Sequence, residues 1–524
     1  MKKAQLAKLD HQYLWHPFTQ MRDWLKRDPT VIVEGRGAVL RDSRDRKYLD
    51  ANSSIWTNLH GHQHPKINAA LKSQLGKIAH SSALGLANEP ASLLAARLVE
   101  AANPKFLLEV FSGPSAANAS GTVTQAPRCA REGALNPDRH QSKCVKSGGG
   151  NQKLNKVFFS DNGSTAVEVA LKLSYEYARR TGLSLKPRFL SLDGAYHGDT
   201  VGAVALGHID LFHAAYSRLL FRTDKVMAPY CYRCPYNRAK PERADARLYR
   251  RCQWECLDKV SAKFESRKKC DKPYAGFVFE PLMQGAAGMI AQPIGWLKQA
   301  TEIARSHGAL LIADEVMTGF GRTGTELAGE PGQPEEGGNC RLFASHKEGV
   351  QPDFLAVAKG LTGGYLPMAA TLTTQRVFDV FLGEYAEFKT FFHGHSFTGN
   401  QLGAAASLAS LDLLQTRQAV ERRARIENLF VKDLASLWSC PHVGDVRQEG
   451  LVAGIELVKN WRTREPFPLE QRVGIKVCEA MAKRGVLTRP VGNVIVLIPP
   501  YCTTDRQLHK MVQTTRSAVE SLKL

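Results

Sequence analysis

Ala309-Leu310-Leu311-Ile312-Ala313-Asp314 and Phe354-Leu355-Ala356-Val357-Ala358-Lys359 are two short apolar runs, each closed by a charged residue. Such a continuous run is what a strand needs when both faces of a parallel sheet are covered. Three more precede them: Val157–Ser160, Arg188–Leu192 and Phe277–Glu280. Between runs the spacing turns helical. In Gly163–Arg180, residues Val167, Ala170, Leu171, Ser174, Tyr177 and Ala178 share one face. Strand–helix alternation predicts an α/β fold with a mainly parallel sheet, and ligands of such sheets gather at the carboxyl ends of the strands. Asp314 and Lys359 both stand at such ends.

Outward from this core the pattern changes. Leu451–Leu457 and Val494–Ile498 read as strands with a helix near Leu469–Arg484 between them, a smaller α+β unit. Val31–Glu34 and Ala38–Arg41, joined by a glycine turn, are expected to pack on it. The expected organisation is an N-terminal segment over 1–52, a large domain over 53–416 and a C-terminal small domain over 417–524. Three stretches interrupt the large domain, near 113–152, 231–272 and 326–340. The first, Gly113–Gln152, is rich in Ser, Ala, Gly and Asn; Glu326–Cys340 is rich in Gly, Glu and Pro; the segment from Cys231 to Lys272 is densely basic.

The charged strand ends suggest chemistry. Alone, Lys359 is an ordinary lysine and Asp314 an ordinary strand-end carboxylate. Together they are the pair pyridoxal phosphate needs: an amine to form a Schiff base with its aldehyde, and a carboxylate to keep its ring nitrogen protonated. Ser160-Asp161-Asn162-Gly163-Ser164-Thr165 lies between a strand and a helix. It is either a plain capped turn or a phosphate cradle at a helix N-terminus. Gly194-Ala195-Tyr196-His197-Gly198-Asp199 follows another strand and offers Tyr196 as an aromatic to stack on a planar cofactor. Phe391-Phe392-His393-Gly394-His395-Ser396 enters an Ala-rich helix, and a hydroxyl there could complete the phosphate site. Its two His residues have no carboxylates at ligand spacing, so no catalytic metal is expected. Arg489 follows a strand pattern and carries a fork suited to a carboxylate.

Composition narrows the classes. Hydrophobic residues make up 43% of 524, ordinary for a globular protein. The formal charge of +20 could signal nucleic acid or a membrane surface. Much of the excess sits in the insertions, however, and no nucleic-acid-binding signature appears, so neither partner is expected. No stretch approaches a membrane span and the N-terminus carries no secretory run, which makes a cytoplasmic protein with reduced thiols the expectation for the 11 cysteines. Cys231-x2-Cys234-x17-Cys252-x3-Cys256 approximates zinc-ribbon spacing, and free thiols in a surface loop are the other reading; the sequence leaves the choice open.

With these residues assembled, the chain resembles the class III (omega) aminotransferases of fold type I. The markers are Glu280-Pro281 with Gln284-Gly285, Asp314-Glu315-Val316 with Thr318–Gly324, Lys359–Gly364, Ser53–Trp56 with His60-Gly61-His62, and Arg489-Pro490. Trp15-His16-Pro17-Phe18-Thr19-Gln20-Met21 points to the biotin-pathway branch, which aminates 8-amino-7-oxononanoate with S-adenosylmethionine, or in some relatives lysine, as donor. The resemblance implies catalytic roles for Lys359, Asp314 and Tyr196. It implies cofactor contacts from Gly163, Ser164 and, across a homodimer interface, Ser396. Trp56, Arg489, Gly394, Glu280 and Phe18 would bind substrate. The chain departs from the pattern at Ile55, Phe18, Val496 and Met317, where relatives often carry Trp, Tyr, an aromatic and Gln. These departures keep the donor open. They also keep two alternatives: an omega-aminotransferase acting on ornithine or 4-aminobutyrate, and a basic DNA-binding regulator that has kept the fold.

Overall fold

The computed structural model describes residues 3–104, 153–324 and 341–522. The expected insertions Gly113–Gln152 and Glu326–Cys340 lie outside the described residues. A seven-stranded sheet forms the centre, in the order Leu154–Ser160, Ala369–Thr374, Phe354–Val357, Leu310–Asp314, Gly276–Phe279, Phe189–Leu192, Asp224–Val226. All five apolar runs read from the sequence are strands of it. From Phe354–Val357 to Asp224–Val226 every neighbour is parallel.

Two strands have no counterpart in the apolar runs. Ala369–Thr374 pairs antiparallel with both of its neighbours. Its Ala and Thr residues are all buried, but they carry too little apolar bulk to read as a core strand. Asp224–Val226 is a three-residue edge strand, too short for any periodicity.

Helix Gly163–Arg180 packs across the sheet and buries more than one stripe: Val169 and Leu173 are enclosed beside Val167, Ala170 and Leu171. Helices Glu255–Lys269 and Trp296–Ser306 add Leu257, Val260, Phe264, Leu297 and Ala300 to the main core. The last half of the basic segment is therefore part of the central packing.

The C-terminal sheet runs Val443–Glu449, Val452–Asn460, Val494–Leu497, Pro490–Val491, flanked by helices Val473–Lys483 and Asp505–Glu520. Near the N-terminus, Ile32–Arg36, Val39–Asp42 and Lys47–Asp50 form a meander that Val486–Leu487 extends, pairing parallel with Lys47–Asp50. The two chain ends thus share one sheet.

Candidate active site

Asp314 ends strand Leu310–Asp314, where the backbone of Ala356 on the neighbouring strand accepts from Glu315 N–H at 2.9 Å. Its carboxylate is buried and held twice. Val316 N–H donates to Oδ1 at 3.0 Å, and His197 Nδ1 lies 2.7 Å from Oδ2. Burial alone would push the His197 imidazole below its usual pKa; the bond to Asp314 and its charge outweigh that and raise it. The buried carboxylate therefore favours the protonated form of His197. The sequence singled out its neighbour Tyr196 and assigned His197 nothing.

One strand over, Lys359 begins a single helical turn just after Phe354–Val357, with φ +41. The mass of protein around it lowers its pKa to about 8, against the pull of Asp314 and Glu280. Its Nζ sits 4.5 Å from the centre of the Trp56 ring. Glu280, just past strand Gly276–Phe279 on the other side of Leu310–Asp314, accepts from Gly285 N–H at 2.8 Å and from Tyr196 N–H at 3.4 Å. Burial raises it to about 7.

Trp56 reaches Lys359 by an unusual route. Ser53, Ser54, Ile55 and Trp56 have φ of +44, +48, +62 and +68, a full left-handed turn. Each such L-residue costs about 1–2 kcal/mol, so the turn needs an external hold. Ser53 Oγ donates to Ile498 C=O at 2.6 Å, and Ser54 donates from N and Oγ to Asp50 at 2.9 and 2.8 Å. Arg322, fully buried, donates to the carbonyls of Trp56, Asn58 and Pro499 at 3.4, 2.9 and 3.2 Å. Arg322 was quoted within the Thr318–Gly324 motif and given no role. The Trp56 ring then packs with Met317, Val496 and Ile498 in one apolar cluster. Ile55 of the same turn stays half exposed.

Gly163 and Ser164 open helix Gly163–Arg180, capped by Asn162. A Cβ at Gly163 would stand 2.6 Å from Val316 Cγ1, so only glycine lets this helix start approach the turn after Asp314. Ser164 Oγ accepts from Asp199 N–H at 3.0 Å, and Asp199 accepts from Tyr196 OH at 2.7 Å. Burial and Asp199 together raise the Tyr196 phenol. Phe18 and Arg489 meet at the rim, where Arg489 donates to the Phe18 carbonyl at 2.7 Å. The Phe18 ring touches Phe212 edge-on at 5.3 Å, and Phe212 lies 6.3 Å from Tyr196. Nothing in the sequence marked Phe212.

Two predicted residues stand apart. Gly394 and Ser396 lie on an exposed loop. His395 of that loop pairs with Asp161 at 3.1 Å, beside the phosphate-loop candidate, while the Ser396 carbonyl lies 2.8 Å from His80 Nε2. Neither Ser396 nor Gly394 joins the Asp314–Lys359 cluster of its own chain by a hydrogen bond.

The group implied by this geometry is a planar phosphate ester with an aldehyde and a basic ring nitrogen, and the residues present fit it. Lys359 has a lowered pKa, Asp314 a buried carboxylate, and Gly163 sits where a side chain would clash. Ser160 Oγ, Trp56 Nε1 and His197 Nε2 are buried without a hydrogen-bond partner. Fold and site define a pyridoxal-phosphate-dependent aminotransferase. The sequence matches the family Aminotransferase class-III over residues 23–141 and 139–519, and the chain belongs to that family. It is 43% identical over 513 residues to adenosylmethionine-8-amino-7-oxononanoate aminotransferase of Geobacter sulfurreducens, covering 98% of this chain and 97% of the relative. The protein of the same name from Methanocaldococcus jannaschii is 36% identical and covered to 99%. Its crystal structure superposes with a TM-score of 0.81 at 34% identity over the whole of both chains. An amine transaminase in its pyridoxal-phosphate-bound form, from an uncultivated Pseudomonas species, superposes at 0.77 with 28% identity, covering 97% of this chain and 98% of that one. Pyridoxal phosphate is the cofactor. No helix among the described residues is long and apolar enough to cross a membrane.

Proposed function

We propose that this chain transfers an amino group to 8-amino-7-oxononanoate, giving 7,8-diaminononanoate in biotin biosynthesis, with S-adenosylmethionine as donor. The observation that carries the reading is the meeting of Arg489 with the carbonyl of Phe18 at the rim, 2.7 Å apart. That contact joins the N-terminal motif of the biotin branch to a carboxylate-binding arginine above an apolar wall of Trp56, Met317 and Val496. A long keto acid with one terminal carboxylate fits such a site. Relatives named for this reaction match nearly the full length.

The bound cofactor supplies an electron sink for the substrate carbon. The chain's own groups do the rest. Gly163 and Ser164 would hold the phosphate at a helix N-terminus. Asp314, held by His197 and the Val316 N–H, would pair with the ring nitrogen. Tyr196 would stack on the ring. Lys359, with a pKa near 8, is neutral in an appreciable fraction at physiological pH and moves the proton at the substrate carbon. Trp56 roofs that lysine and keeps water from it. Arg489 releases the Phe18 carbonyl to take the substrate carboxylate, and Glu280 lies against the Tyr196 backbone. The exposed Ser396 and Gly394 are read as reaching the site of a second copy, so a homodimer belongs to this reading, as does a cytoplasmic location.

The test is one half-reaction. The purified holoenzyme is mixed with S-adenosylmethionine, and with lysine in a parallel cuvette, while the cofactor's visible absorbance is followed. Bleaching by S-adenosylmethionine, followed by recovery on adding 8-amino-7-oxononanoate, is expected. Bleaching by lysine alone would change the donor. Recovery with other keto acids but not this one would overturn the acceptor.

A further inference from the structure

The four cysteines of the Cys231–Cys256 segment are 25 residues apart at their extremes by way of a chain with little regular structure, yet they line one recess of about 10 Å³ together with Pro229, Asn237 and Arg250. That is the space of one small sphere. None of the four is in a disulfide. As placed, no three Cys, His, Asp or Glu side chains among the described residues converge closely enough to grip an ion. What surrounds the sulfurs decides between idle thiols and ligands.

A thiol is a weak hydrogen-bond acceptor, whereas a thiolate is a strong one. One of the four sulfurs accepts from an N–H donor, and a second lies on a helix packed against an unpartnered one. Arg250 donates to Cys252 Sγ at 3.1 Å, its guanidinium laid 3.9 Å over the Trp254 ring. Trp296 is wholly buried on the helix packed against the one that carries Cys256, and its indole N–H finds no acceptor. A buried donor left without an acceptor is costly, and a thiolate at Cys256 drawn toward the recess would answer it. Donors of this kind around sulfur are the outer shell of a thiolate metal site.

We propose that Cys231, Cys234, Cys252 and Cys256 bind one zinc-class divalent ion in a closed, all-thiolate structural site. Four thiols give up four protons to solvent as their sulfurs close on the ion, leaving a net charge of about −2 that Arg250 partly offsets. The site is remote from the transamination chemistry and holds the two domains together. The turn that carries Cys231 and Cys234 also carries Arg233, which grips Glu456 of the C-terminal sheet at 2.6 and 2.8 Å, and follows Tyr230, which donates to the same carboxylate. Glu456 in turn accepts from Arg447 at 2.6 Å, and Arg447 donates to the carbonyls of Gly288 and Met289 at 2.6 and 2.9 Å, in the hairpin that follows Glu280.

The experiment uses the untagged full-length holoenzyme, purified under reducing conditions, supplemented with zinc and desalted. Elemental analysis should find about one zinc per chain, and Cys231→Ser and Cys256→Ser should each lose it while keeping the cofactor's visible absorbance. Should either variant fail to fold, the wild-type protein still decides. A mercurial reagent should release the zinc in step with the blocking of four thiols. A zinc-free wild-type protein, zinc retained by both variants, or release that does not follow those thiols would overturn the site.

Discussion

Asp314 with Lys359 and the Ser53–Trp56 turn meet over the same few ångströms, but they are built in opposite ways. The two charged residues sit at the ends of adjacent parallel strands, in register through Ala356 and Asp314. Regular strands deliver them there, and the left-handed backbone is confined to Lys359 itself, just past its strand at φ +41. Trp56 arrives on four consecutive left-handed residues kept in place by Ser53, Ser54 and the buried Arg322. The difference teaches a division of labour. The groups proposed to carry the reaction follow directly on the stiffest element, while the proposed wall of the substrate pocket is strained backbone held by hydrogen bonds.

Four changes would break or sharpen that contrast. Lys359→Ala should remove turnover by about 10²–10⁴-fold or more while the protein stays folded and still binds cofactor; steady-state rates with normal circular dichroism check it, and multiple turnovers would refute the role. Arg322→Met should leave three carbonyls without their donor and destabilise the fold by about 3 kcal/mol, with a raised KM as Trp56 loosens; urea denaturation reads the first and kinetics the second.

The third change concerns charge. In cofactor-free protein, acylation of Lys359 should titrate with a midpoint near its pKa of about 8, rising with pH as the amine loses its proton. Asp314 favours the charged form, so Asp314→Asn should move that midpoint lower still; a midpoint that rises would contradict the electrostatic reading. The smallest effect belongs to the strained turn. Ile55, β-branched and half exposed at φ +62, should be improved by Ile55→Asn, which tolerates left-handed backbone, by about 0.5–1 kcal/mol. A fall in the thermal midpoint would mean that the strain is not where the dihedrals put it.

Much of this was legible from residue order. The five apolar runs became strands, the Ser160–Thr165 turn became a helix start, and Asp314 and Lys359 came to neighbouring strand ends, because burial on both faces of a parallel sheet leaves a direct mark on composition. Ala369–Thr374 escaped notice because small residues fill a tight sheet without apolar bulk. His197 escaped because a histidine beside a flexible Gly-rich motif has no periodicity to betray its partner 117 residues away. Phe212 and Arg322 act only through contacts that span the chain.

Sequence alone determined the fold class and the cofactor, and proposed the two residues that would carry its chemistry, since each depends on local pattern: apolar run length, strand ends and the residue types found there. Tertiary structure alone decided which charge partners stand beside those residues, how far the lysine is neutralised, and how Trp56 is turned over it. Those properties depend on burial and on distances between segments hundreds of positions apart, such as Ser53 and Ile498, and no local pattern encodes a dielectric environment or a long-range hydrogen bond.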